Sequence, residues 1–73
     1  MVRRKVQHLT ETQERILREI RLAIVDRGDA PTIAELADTV GLRWSSVHYQ
    51  LRELEAKGAI VREPGRPRGI RLT

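Results

Sequence analysis

Apolar positions recur at helical spacing in three stretches of this chain and then switch to short runs broken by proline and glycine. The first stretch, "LTETQERILREIRLAIVDRGD", places Ile16, Leu17, Ile20, Ala23 and Ile24 on one side, with charged residues between them. Thr10 followed by Gln13 fits a capping box, Leu9 stands where a hydrophobic staple begins, and Gly28 is placed to stop the helix. The spacing predicts a helix from about Glu11 to about Arg27. Its outer face carries Glu and Arg three and four apart, as a solvated face does.

The second stretch, "APTIAELADTVG", opens with Pro31, which forces an extended approach, and pairs Thr32 with Glu35 in a second capping box. Ile33, Leu36, Ala37 and Val40 form its stripe and Gly41 ends it. Two turns of helix are marginal alone in water, so this one must dock on its neighbours. The third stripe, Val47, Leu51 and Leu54, predicts a helix over about 45–57 closed by Gly58. Two helices joined by a short glycine-containing turn have the layout of a helix-turn-helix.

The last segment, "AIVREPGRPRGIRLT", has apolar runs from Ala59 to Arg62 and from Arg68 to Leu72, split by Pro64, Gly65 and Pro67. It reads as a β-hairpin with Ile60, Ile70 and Leu72 packed on the helices and Arg62, Arg66, Arg68 and Arg71 at its tip and flanks. The residues "APT" before the second helix could add a third edge strand. The expected fold is α+β, mainly α: a winged helix-turn-helix of three helices and a two-stranded wing, over residues 9–73. Residues 1–8 read as a flexible basic segment.

Composition narrows the function. A chain of 73 residues makes one domain with one modest core. A substrate cavity would compete with that core for side chains. With no Cys there are no disulfides and no Cys-based zinc finger. No apolar run reaches the roughly 20 residues that cross a membrane, and no signal-peptide core follows the basic start, so the expected location is cytoplasmic. The net charge is +4, and the bases gather at the ends: Arg3, Arg4 and Lys5 in one, the hairpin arginines in the other. Basic ends on a balanced middle fit an anionic partner such as nucleic acid, although ordinary solubility gives a similar balance.

The chain has one Trp and one Tyr, both in "GLRWSSVHYQL". With Val47 turned to the core, Leu51 and Leu54 fall on its side, Ser45, Tyr49 and Arg52 on the opposite side, and His48 and Ser46 on the flanks. Hydroxyl, phenol, imidazole and guanidinium groups on one helix face can hydrogen-bond base edges and phosphates in a major groove. A large exposed aromatic such as Tyr49 favours contact with a partner. Trp44 lies about 60° from the core side, which predicts a partly buried lid over the helix junction rather than a base-stacking platform. Ser45 or Ser46 could instead cap the helix.

Catalytic readings find little support. Ser46 and His48 are two apart on a helix and do not face each other, and "PGRPRG" lacks the lysine and helix of a phosphate loop. His8 and His48 are far apart in sequence, so no metal site or cofactor is expected. The chain reads as a non-enzyme without a small-molecule substrate.

Three segments, "LTETQERILREI", "APTIAELADTVGL" and "SSVHYQLRELEAKGAIVREPGRPRGIRL", resemble the N-terminal DNA-binding domain of the LexA repressors, regulators of the bacterial DNA-damage (SOS) response. The resemblance covers about residues 9–72. It implies transcriptional repression by a homodimer on palindromic double-stranded DNA, with the third helix in the major groove. Carried over by position, the contacts fall on Ser45, Ser46, His48 and Tyr49, with Arg43 in the preceding turn, Arg52 towards the backbone, and Arg66 and Arg68 near phosphates. Relative to the family pattern the turn before the third helix is one residue shorter and carries Trp44, so no operator sequence is transferred. The family's self-cleaving peptidase, with its Ser and Lys dyad, is not in these residues; either a longer chain or a stand-alone repressor would fit. The alternative function is a winged-helix protein-interaction module; RNA binding ranks last, because stacking aromatics are too few.

Overall fold

The computed structural model describes residues 8–73, so the basic segment 1–8 lies outside the described residues except for His8, which is exposed. Three helices, α1 (Glu11–Arg27), α2 (Ile33–Val40) and α3 (Trp44–Ala56), are followed by strands β1 (Ile60–Arg62) and β2 (Ile70–Leu72). Both expected capping boxes form. The Thr10 hydroxyl accepts from the Gln13 amide at 3.2 Å while the Gln13 side chain accepts from the Thr10 amide at 3.1 Å. Thr32 and Glu35 repeat the arrangement at 3.1 and 3.0 Å. Each box satisfies two amides that a helix start otherwise leaves without partners.

The helix ends are set by chain chirality. Gly28 and Gly41 hold φ of 80° and 71°, a left-handed conformation that side chains with a Cβ resist. At the end of α3 the Gly58 amide donates to the Glu55 carbonyl and the Ala59 amide to that of Leu54, at 3.0 and 2.9 Å. This crossed pair is a Schellman motif, and it turns the chain from α3 into β1 within three residues.

β1 and β2 pair antiparallel in the register Ile60↔Leu72, Val61↔Arg71, Arg62↔Ile70. Between them Pro64 and Gly65, with Gly65 at φ 76°, occupy the central positions of a turn closed by the Arg66 amide on the Glu63 carbonyl. Proline first and a left-handed glycine second is the sequence of a type II turn. Ile16 and Ile20 from α1, Leu36 from α2, Val47, Leu51 and Leu54 from α3, and Ile60 from β1 form a fully buried aliphatic core.

Two expectations for the wing are corrected. The sheet has two strands, not three. Ala30 and Pro31 are buried beside it, but Ala30 is tied to the wing through its carbonyl, which accepts from the Arg68 guanidinium at 3.1 Å, and Pro31 has no amide to donate to a ladder. Leu72 shares the inward face of β2 with Ile70 but sits at the strand's end, 39% exposed, at the rim of a recess with Leu9 and Leu17.

Candidate nucleic-acid interface

With Val47, Leu51 and Leu54 fully buried, the turn of α3 carries Ser45, His48, Tyr49 and Arg52 to the exposed side. Ser46, on the flank, is half-buried. Neither serine caps the helix. The N-cap is Arg43, no side chain hydrogen-bonds the first turn, and no acid stands in it. The amide groups of that turn therefore point outward with the positive end of the helix dipole, the polarity that an anion prefers. Arg43 and Arg52 make no ion pair among the described residues.

Trp44 departs from the expectation of a buried lid: it is 60% exposed, and Tyr49 is 58% exposed. The physical reason is position. Sixty degrees from the core direction buries a residue only if a neighbouring element closes over it, and the wing stands off from Trp44 across an open groove of about 470 Å³. Arg62, Pro64, Arg66 and Ile70 line the far side of that groove, with Thr32 and Ile33 at the start of α2. The two aromatic side chains of the protein thus both lie on the surface of one helix, over an entirely aliphatic core.

A polar link that spacing alone did not indicate seats this helix. Gln13 on α1 is only 4% exposed. Its amide nitrogen donates to the Gln50 side chain at 3.0 Å, and its oxygen accepts from the Lys57 ammonium at 2.7 Å as well as from the Thr10 amide. Gln13 therefore caps its own helix and clamps α3 at two points seven residues apart. Its glutamine side chain at the third position of α1 was readable as a cap; the 37- and 44-residue separations to its other partners gave no sequence signal.

The wing arginines divide by partner. Arg66 is exposed at the tip, 3.5 Å from Glu63, which also takes Arg71 at 3.3 Å. Arg68, expected near phosphates, is exposed but bonded to α2. Its guanidinium donates two hydrogen bonds to Glu35 at 2.8 and 2.9 Å and a third to the Ala30 carbonyl. This fork geometry is the strong form of an ion pair. The Arg68 hydrogen bond, then that of the Thr32 amide, hold the Glu35 carboxyl down to about 2, and the Glu35 carboxylate in turn raises the Arg68 guanidinium. Glu35 lies 3.8 Å from Arg27 as well. The carboxylate that caps α2 is also the anchor of the wing.

An exposed strip of hydroxyl, imidazole, phenol and guanidinium groups on a helix held rigidly from behind, beside a basic β-wing, has the dimensions and donors to read a groove of duplex nucleic acid. Among the described residues no helix is long and apolar enough to cross a membrane, and no cluster of His, Asp or Glu is arranged to hold a metal ion. The family model described as "LexA DNA binding domain" matches residues 6–69, which is most of the chain.

The chain belongs to the LexA DNA-binding-domain family.

Among curated relatives, the LexA repressor of Mycobacterium leprae is 51% identical over 65 residues, covering 88% of this chain and 28% of that repressor. The LexA repressors of Mycobacterium ulcerans and Corynebacterium efficiens are 52% and 51% identical over 63 residues, 85% of this chain and 26% and 27% of theirs. The chain thus spans about a quarter of the length of the LexA repressors it matches. Within that LexA domain, the capping boxes, the Gln13 clamp and the Glu35–Arg68 pair fix where α3 and the wing stand.

Proposed function

We propose that the chain binds duplex DNA sequence-specifically for transcriptional regulation, as a LexA-like repressor domain, with α3 in the major groove and the wing beside the backbone. The observation that carries this reading is the surface of α3. Both aromatic residues and the donors Ser45, His48 and Arg52 stand exposed on a helix anchored from behind by a buried glutamine. In this reading Ser45, Ser46, His48 and Tyr49 meet base edges, while Arg43, Arg52 and Arg66 meet phosphates. Arg68 acts one step back, holding the wing against α2 through Glu35. In this reading the domain binds rather than catalyses, and chromosomal DNA as its partner favours a bacterial cytoplasm. The name shared by its relatives supports repression, and one helix with one wing reads a half-site, which favours a homodimer on a palindrome.

The test is a binding isotherm on duplexes enriched from a random library, repeated over a salt series. Combined Tyr49→Ala and Arg52→Ala is expected to weaken binding by at least about tenfold, since a good base contact is worth about 1–3 kcal/mol. Arg66→Ala should reduce the slope of log affinity against log salt by about one. A salt-independent interaction that survives the double substitution would instead favour a protein-interaction module.

A further inference from the structure

We propose that Trp44 is a specificity-determining residue that packs its indole against the 5-methyl group of a thymine at the wing-side edge of the half-site. The inference deepens the DNA-binding reading and rests on it. Trp44 is the first residue of α3 and stays out of the core: it is 60% exposed and lines the open groove that it shares with the wing. By helical rotation its nearest exposed neighbours on α3 are His48, one turn on, and Ser45 next to it. Trp44 therefore extends the polar strip with an apolar margin on the side of the wing.

The chemistry of a major groove limits what such a margin can meet. Bases in a duplex remain stacked, so a side chain entering the groove meets their edges, not their faces. Stacking on an indole needs an unpaired or extruded base. Three of the four bases present only polar groups at the major-groove edge, whereas thymine presents a methyl group that takes apolar contacts. The start of a recognition helix is the part that reaches base edges. An indole there is matched by the one apolar feature available. Leaving a tryptophan in water without such a partner exposes a large apolar area to no benefit.

Because Trp44 is the only tryptophan in the chain, its fluorescence reports its own surroundings. The experiment uses the full 73-residue chain and a duplex enriched from a random library. Acrylamide quenching of the tryptophan emission is measured with and without that duplex, and affinity is measured for duplexes in which each thymine is replaced in turn by deoxyuridine. We expect DNA to protect Trp44 from acrylamide. One thymine position should lose about fourfold in affinity on losing its methyl group, the effect of removing one buried carbon. Trp44→Ala should abolish that single-position effect, and Trp44→Phe should retain part of it. Both variants are expected to fold, because the side chain is outside the core. If the duplex binds in a Tyr49- and Arg52-dependent way while Trp44 stays open to acrylamide, the inference on Trp44 is overturned and the DNA-binding reading stands. A loss of affinity in Trp44→Ala that is equal for thymine and deoxyuridine at every position also overturns it. If no duplex is bound at low salt, both fall together.

Discussion

Replacing Gln13 by leucine fills nearly the same volume but removes three hydrogen bonds at once. The lost bonds are the Lys57 ammonium at 2.7 Å, the Gln50 side chain at 3.0 Å and the Thr10 amide at 3.1 Å. A hydrogen bond from a charged donor contributes about 1.5–3 kcal/mol and each neutral one about 0.5–1.5 kcal/mol. The sum overstates the loss, because Lys57 and Gln50 are half-buried and can turn to water, and because leucine gains apolar burial. We expect a net destabilisation of about 1–3 kcal/mol, against the roughly 4–10 kcal/mol typical of a domain this size. Urea unfolding followed by helical circular dichroism is the assay. With a slope of about 1 kcal/mol per molar for a chain of this length, the midpoint should fall by about 1–3 M. A double-mutant cycle with Lys57→Met separates the clamp from the cap, since only the clamp couples the two sites. An unchanged midpoint, or zero coupling to Lys57, would show that Gln13 does not hold α3 in place.

Two further outcomes follow from the wing and its anchor. Glu35 has its carboxyl lowered to about 2 from an ordinary 4.5 by Arg68 and the Thr32 amide, so its folded value lies below its unfolded one. Its contribution is complete above about pH 4.5 and is lost as pH falls towards 2. The melting temperature of the wild-type chain should therefore drop more steeply across that window than that of Glu35→Gln, which keeps the α2 capping box but loses the ion pair; parallel pH profiles would refute the assignment. Gly69→Ala should destabilise the domain by about 1–3 kcal/mol through overpacking. A Cβ there would lie 2.7 Å from the Glu63 carbonyl oxygen and 3.0 Å from that of Arg66, both backbone atoms. An unchanged urea midpoint would mean that the turn can open freely.

The parts of this fold that local chemistry governs were legible along the chain. Thr10 with Gln13, Thr32 with Glu35, and the glycines at 28, 41 and 58 mark helix boundaries because each acts on residues within one turn of itself. The inward stripe of α3 followed from periodicity, and the outward strip of Ser45, His48, Tyr49 and Arg52 followed from its complement. What could not be read depends on where a distant element comes to rest. Trp44 is at the same angle to the core whether or not the wing covers it, so rotation alone did not decide its exposure. Arg68 looked like its neighbour Arg66 in sequence, yet it lies beside the start of α2 and takes the capping carboxylate. Gln13 showed its cap but not its clamp, because Gln50 and Lys57 meet it only after α3 has folded back.

The wing is fastened at both ends of its length: at its root by the crossed amide bonds around Gly58, and near its far strand by Arg68 on Glu35 and Ala30. These bonds tie the hairpin to the end of α3 on one side and to the start of α2 on the other. With the wing so tied, the proposed DNA-binding mode implies that the domain would act as a gauge of groove spacing as well as a reader of bases. DNA whose twist or groove width departs from that gauge must be deformed to fit, at a cost that depends on its sequence. If two such domains bind a palindrome as proposed, tolerance for variable spacing between the half-sites has to come from outside the segment joining Ala30 to Ile70.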